Sequence, residues 1–149
     1  MVSKSDIRID SDGTWYFQGF EMLRRDIINL FYQNLRQDEA GGYRIEIGRE
    51  QYPVEVEDTA FVVWDLCWNS GEHGAETHAL LYLSDDTTEK LDLETLRIGT
   101  GFVPYCRVKD GRFEARFSRA SYYKLTEQMQ HDPDADTYCI DLNGRRYLL

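Results

Sequence analysis

The sequence predicts an α+β domain in which two hairpin–helix–hairpin units, mainly antiparallel β, flank a set of central β-strands. Three observations predict it. Apolar residues alternate with period two around Asp-Gly and Asn-Gly pairs. The spacing switches to a helical one after each first hairpin. The last third of the chain repeats the first. On this reading residues 1–56 form the first unit, 57–100 the central strands and 101–149 the second unit, as one compact domain or two intimately packed halves.

Residues 7–17 read as a hairpin, with Ile7, Ile9, Trp15 and Phe17 alternating around Asp12-Gly13, a pair suited to positive φ. From 22 to 37 the pattern is helical, with Leu23, Ile27, Leu30, Phe31 and Leu35 on one stripe and Gly41-Gly42 as the stop signal. A second hairpin follows, with Tyr43, Ile45 and Ile47 before a turn at 48–51, and Tyr52, Val54 and Val56 after it. In the centre, FVVWDLCW at 61–68 and residues 77–83 are dense in strand formers, separated by the polar loop NSGEHGAE. Residues 88–91 suggest a further strand, while 93–98 suit a short turn or a strand equally. Residues 105–117 form a hairpin around Asp110-Gly111. Residues 118–130 form a helix with Ser118 as N-cap and Tyr122, Leu125 and Met129 on one stripe. A closing hairpin over 137–149 turns at Asn143-Gly144.

Sliding residues 24–54 by 95 positions onto 119–149, without a gap, aligns seven identical residues. About two would be expected from ordinary composition. They include Arg24 on Arg119, Leu30 on Leu125, Tyr43 on Tyr138 and Ile45 on Ile140. Such a duplication predicts two halves about a pseudo-twofold axis, with a ligand groove between them.

Composition narrows the function. Hydrophobic residues at 42% supply a core. A formal net charge of −10 repels phosphate, so neither nucleic acid nor an anionic membrane is an expected partner. Cys67, Cys106 and Cys139 are odd in number and lack CxxC spacing, and their apolar neighbours predict buried packing. The N-terminal MVSKSDIRIDSD lacks a signal-peptide core, so the expected compartment is the cytoplasm.

No motif carries chemistry. Glu72, His73, Glu76 and His78 in GEHGAETH lack the helical HExxH spacing, and Gly71 and Gly74 make a solvated loop the better reading. DPDAD at 132–136 opens like a calcium loop but has Thr137 and Asn143 where Gly and Glu are required. GTGF at 99–102 lacks the strand–helix context of a phosphate loop. Cys67 and His78 across the central hairpin are the sole nucleophile–base candidates, with a packed cysteine the simpler account. No catalytic residue, metal ligand or cofactor is therefore assigned. Arg24 and Arg119 stand out because both fall near helix starts, where the dipole disfavours a cation. A structural ion pair is the first account of each, with Glu21 a candidate partner for Arg24, and an anionic ligand the second. Trp15 and Tyr105 on the aromatic hairpins complete the candidate ligand set, although core or seam packing accounts for them more simply.

The chain resembles a bacterial family known as domain of unknown function 1285, over nearly its whole length. The resemblance rests on DGTW at 12–15, Arg24 followed by IINLF at 27–31, VEVEDTAF at 54–61, and PYCRVKDGRFEARFSRA at 104–120. The chain departs from the family pattern in having YLSDDTT where a threonine–asparagine pair is expected, and Glu94-Thr95-Leu96 where members tend to carry His-Pro-Leu. The resemblance implies an α+β fold with repeated motifs and a suggested role in bacterial sensing or signal transduction, but no activity. Together these features favour a non-catalytic regulatory or sensory module that binds a small ligand or a protein partner. A homodimeric scaffold and a cryptic hydrolase are the alternatives.

Overall fold

The structure is a computed structural model and describes residues 6–70 and 76–149. It is a mixed α/β chain built mostly of sheet, with two α-helices among the described residues. None of its described helices is long and apolar enough to cross a membrane. The chain divides into two units, Met1–Phe61 and Val62–Leu149.

In the first unit, β1 (Ile7–Ile9) and β2 (Trp15–Phe17) form the expected hairpin, extended by β3 (Phe20–Glu21). The Asp10 carboxylate organises its turn, accepting the Asp12 and Thr14 N–H groups at 2.9 Å each and the Tyr16 hydroxyl at 3.1 Å. Gly13 takes φ +86° there. Helix α1 (Arg25–Gln33) leads into β4 (Leu35–Gln37), β5 (Tyr43–Ile47) and β6 (Glu50–Val56). The six strands order as β3-β2-β1-β6-β5-β4, with β1 lying parallel to β6, Ile7 opposite Val54 and Ile9 opposite Val56.

Two expectations for this helix fail. It is shorter than predicted, because Asn34 ends it, donating from Nδ2 to the Leu30 carbonyl at 2.8 Å. Gly41 instead serves the β4–β5 turn at φ +90°. The buried face is carried by Ile28 and Tyr32, while Leu23 and Leu30 are exposed. Tyr32 decides the rotation. Its ring meets Trp15 edge-on at 4.9 Å and Phe61 at 4.7 Å, and its hydroxyl donates to the Ala60 carbonyl at 2.8 Å.

In the second unit, β7 (Phe61–Asn69), β8 (His78–Leu83) and β9 (Thr88–Lys90) form an antiparallel meander. The segment left open as turn or strand is both: a 3-10 turn at Leu93–Thr95, then β10 (Arg97–Ile98). The hairpin β11 (Pro104–Val108) and β12 (Phe113–Phe117) joins them, giving the order β10-β11-β12-β7-β8-β9. Helix α2 (Arg119–Thr126) starts as expected at Ser118, whose side chain accepts the Ser121 N–H. The serine pair fastens the helix start to β7: Ser118 Oγ donates to the Trp64 carbonyl at 3.1 Å, and buried Ser121 Oγ to the Val63 carbonyl at 2.9 Å.

The helix is followed by a strand that sequence did not predict, β13 (Met129–Asp132), which with β14 (Thr137–Leu142) and β15 (Arg145–Leu148) makes a separate three-stranded sheet. Each helix is thus followed by three strands rather than a hairpin. Asn143 and Gly144 take φ +54° and +81° at the closing turn, the two positive values a type I′ hairpin requires. The side chain of Asn143 also exchanges two hydrogen bonds with the Thr77 backbone, at 3.0 and 2.9 Å. The DPDAD segment is a carboxylate-centred turn, with Asp132 Oδ1 accepting from Asp134 and Ala135 N–H. Ala135 N–H first, then the Arg146 guanidinium, hold this carboxyl below the usual carboxylate range against the opposing effect of burial.

The 95-residue offset read from the sequence aligns some buried positions and not others. Ile45 and Ile140, 95 positions apart, are both fully buried on matching strands. The helices do not follow it. Leu30 is 46% exposed while Leu125 is fully buried, and the buried pair Ile28 and Tyr32 corresponds to Ser121 and Leu125 instead.

Candidate functional site

Two cavities whose apolar walls carry no carboxylate lie in the second unit, where α2, the loop before β11 and the β13–β14 pair converge. The loop comes from the GTGF segment. Gly101 and Phe102 take consecutive positive φ values of +72° and +63°, and Gly99 N–H donates to the Val103 carbonyl at 2.7 Å, closing the loop behind them. A left-handed backbone is unusual for a residue as bulky as phenylalanine. It leaves the Phe102 ring 68% exposed. Segment GTGF is therefore no phosphate loop but the mount of an aromatic ring.

Two adjoining cavities share Phe102, Pro104 and Tyr122 as a common wall. The first, about 410 Å³, is completed by Ile98, Thr126, Met129, His131 and Tyr138, with Gln130 at its edge. The second, about 530 Å³, opens towards Arg116, Ser118, Arg119 and Tyr123. Tyr122 and Tyr123 stack at 5.8 Å between ring centroids. Leu125 on the same helix turns into the core, so the stripe predicted for α2 splits between core and cavity. Phe102, Tyr123 and Tyr138 are among the few large apolar side chains left exposed in this unit, and all three line these cavities.

Electrostatically the place is distinct. The chain has 27 acidic residues in 149, yet neither cavity is lined by a carboxylate. Arg119, exposed on the first turn of α2, has no ion-pair or hydrogen-bond partner among the described residues. Arg116 is already engaged. His131 sits edge-on to Tyr138 at 6.2 Å, with Nε2 3.3 Å from Asp136 Oδ1.

The other sequence candidates lie elsewhere. Arg24 is the N-cap residue of α1 and pairs at 2.6 Å with Asp26, not Glu21; both side chains are exposed. Trp15 is 1% exposed in the first unit's core, its Nε1 without a hydrogen-bond partner. Tyr105 carries the Arg97 guanidinium over its ring at 4.3 Å, while Arg97 pairs with Glu114 at 2.8 Å. Its other neighbour is Gly99, where a Cβ would sit 2.7 Å from the ring. Of Arg24, Arg119, Trp15 and Tyr105, Arg119 alone lines one of these cavities. The rest of the groove escaped sequence reasoning, and the one local signal for it was the adjacent aromatic pair Tyr122-Tyr123 placed three residues after Arg119.

The cysteine expectation needs correction too. Cys106 and Cys139 are buried, and burial pushes the Cys106 thiol well above its ordinary value. Cys67 is exposed instead, because β7 directs it outward between buried Leu66 and half-buried Trp68. Its register partner on β8 is Leu80, while His78 faces Asn69, with 3.5 Å between Asn69 Nδ2 and His78 Nε2. Glu72 and His73 lie outside the described residues. Among the described residues no group of three or more His, Cys, Asp or Glu is placed to hold a metal ion.

The first unit has a broader depression of about 890 Å³, lined by Ile7, Phe17, Phe31, Ile47 and Tyr52, with Asp6, Arg49 and Glu50 among its polar residues. Both signs of charge are already present there.

Comparison with known proteins agrees with the resemblance seen in the sequence. Residues 1–59 match the family model described as the N-terminal domain of a domain of unknown function, DUF1285. The fold is similar to the crystal structure of a DUF1285 family protein from Silicibacter pomeroyi DSS-3, with TM-score 0.77 at 22% identity, covering 98% of this chain and 80% of that one. It is also similar to a DUF1285 family protein from Shewanella baltica OS155, with TM-score 0.65 at 18% identity, covering 83% and 91% respectively. No curated protein matches the chain.

Proposed function

We propose that this DUF1285-like chain is a non-catalytic, cytoplasmic regulatory module that binds a small ligand in the groove of its second unit, in the service of bacterial signal transduction. The observation that carries the reading is the pairing of an aromatic chamber with an unpartnered guanidinium, in cavities whose linings include no carboxylate although the chain is acidic. A volume of about 410 Å³ falls within the roughly 300–1,000 Å³ of small-molecule sites, and a few polar groups on apolar walls is their usual make-up. A fragment library screened by NMR against the full chain tests it. Hits should shift the amides of Phe102, Tyr122, Met129 and Tyr138 together. Shifts confined to the first unit, or none, would sink the reading.

A second reading, assembly through the first unit, draws on Phe17, Phe20 and Leu23, which are exposed in and just after the β2–β3 hairpin. Sedimentation equilibrium should then give a dimer that Phe20→Asp dissociates. A monomer at every concentration removes it. We further infer that the two helix-bearing segments descend from one repeated unit of hairpin, helix and three strands. Supporting this are the shared element order and the matched burial of Ile45 and Ile140.

A further inference from the structure

We infer that the groove takes an aryl-bearing carboxylate, its ring in the chamber walled by Tyr122, Met129 and Tyr138 and its carboxylate against Arg119. This assignment of ligand class rests on the groove being a small-molecule site. Charge complementarity supplies the anionic end. Arg119 is the lining cation without a partner, and no Asp or Glu competes for it within either cavity. A guanidinium matches a planar carboxylate with two parallel hydrogen bonds. A phosphate dianion calls for more donors than one free guanidinium, and Arg116 is already engaged.

The chamber supplies the other end. Tyrosine rings favour an aromatic guest through offset or edge-to-face contacts, and a thioether such as that of Met129 packs well against a ring edge. Phe102, Pro104 and Tyr122 line both cavities, so a ligand a few atoms longer than its ring that passes over this common wall would reach both. An exposed Phe102 held out by a left-handed backbone gives such a guest a further aromatic face where the two cavities adjoin.

The test is calorimetric titration of the full chain with 4-phenylbutyrate and with its neutral amide. The acid should bind about fivefold more tightly than the amide, the scale of one solvent-accessible charge pair. Arg119→Gln should bring the two to parity by weakening the acid more than the amide, and Tyr122→Ala should weaken both together. Equal affinities in the unaltered protein would overturn the anion assignment while leaving the groove as a neutral-ligand site. An acid preference that persists in Arg119→Gln, or binding indifferent to Tyr122→Ala, would overturn the placement. Failure of both compounds to bind would overturn the ligand class, and the fragment screen then decides separately whether the groove is a site at all.

Discussion

The two helix-bearing segments each have a hairpin, a helix and three following strands, the first with β3 in addition, and they are wired differently. In the first, the hairpin β1–β2 joins the strands after the helix through the β1–β6 pairing, making one six-stranded sheet. In the second, the equivalent hairpin pairs through β12 with β7, and β13–β15 remain a sheet of their own. The helices differ as well: α2 has a serine cap and α1 has no side-chain cap. Which edge a hairpin joins is thus separable from the order of elements. Where the second unit leaves its last sheet independent, a groove opens beside α2, between β13–β14 and the loop before β11.

The wiring difference predicts unequal consequences of equivalent core truncations, and these are the largest effects expected. Ile9 and Val108 are fully buried at matching hairpin positions. Ile9→Ala should cost about 3 kcal/mol, and Val108→Ala somewhat less. Hydrogen exchange separates them: Ile9→Ala should speed exchange across β6 as well as β1, whereas Val108→Ala should spare β13–β15. Equal spread of the damage in both variants would break the comparison.

The helix anchors come next. Tyr32→Phe removes the hydrogen bond to the Ala60 carbonyl, and Ser121→Ala the one to the Val63 carbonyl. Each should cost about 1–2 kcal/mol in urea unfolding, since a buried carbonyl loses its partner. Capping gives a smaller, oppositely signed pair. Ser118→Ala should lose about 1 kcal/mol. Arg24→Ser, at an extended N-cap position with no side-chain cap, should gain about 0.5 kcal/mol despite losing an exposed ion pair. Parity between the two helices would mean that caps do not distinguish them.

The smallest effect is pH dependence. Asp132 has its folded pKa held down, so its contribution is fully present above the ordinary carboxylate range and is lost as acid takes the pH through the depressed value. NMR melting of β13–β15 should therefore show an acid-sensitive component that Asp132→Asn removes. An unchanged acid response in that variant would exclude Asp132 as its source.

These residues also show what sequence could convey. Hairpins were legible because Asp-Gly and Asn-Gly fix local backbone geometry, whatever packs on them. The rotation of α1 was not. Ile27, Ile28, Leu30, Phe31 and Tyr32 surround most of the helix, and the choice among faces was made by an acceptor at Ala60, far along the chain. Strand β13 was missed because MQHD has no alternation of its own, and its pairing is imposed by β14. The groove was illegible for the same reason, since Phe102, Tyr122, Met129 and Tyr138 come from four elements. Arg119 was visible as a cation at a helix start, an electrostatic anomaly confined to a few neighbouring residues.

The parallel pairing of β1 with β6 also bears on birth order at the ribosome. Ile7 has its partner at Val54, so the first strand emerges long before the strand it needs, and its edge stays unsatisfied through the synthesis of α1, β4 and β5. The closing sheet of the chain has no such delay, because β13, β14 and β15 each pair with a neighbour made moments earlier. Nascent chains of this protein are therefore more exposed to mispairing at β1 than in β13–β15, and a pause in translation before Val56 is an interval in which a chaperone would matter.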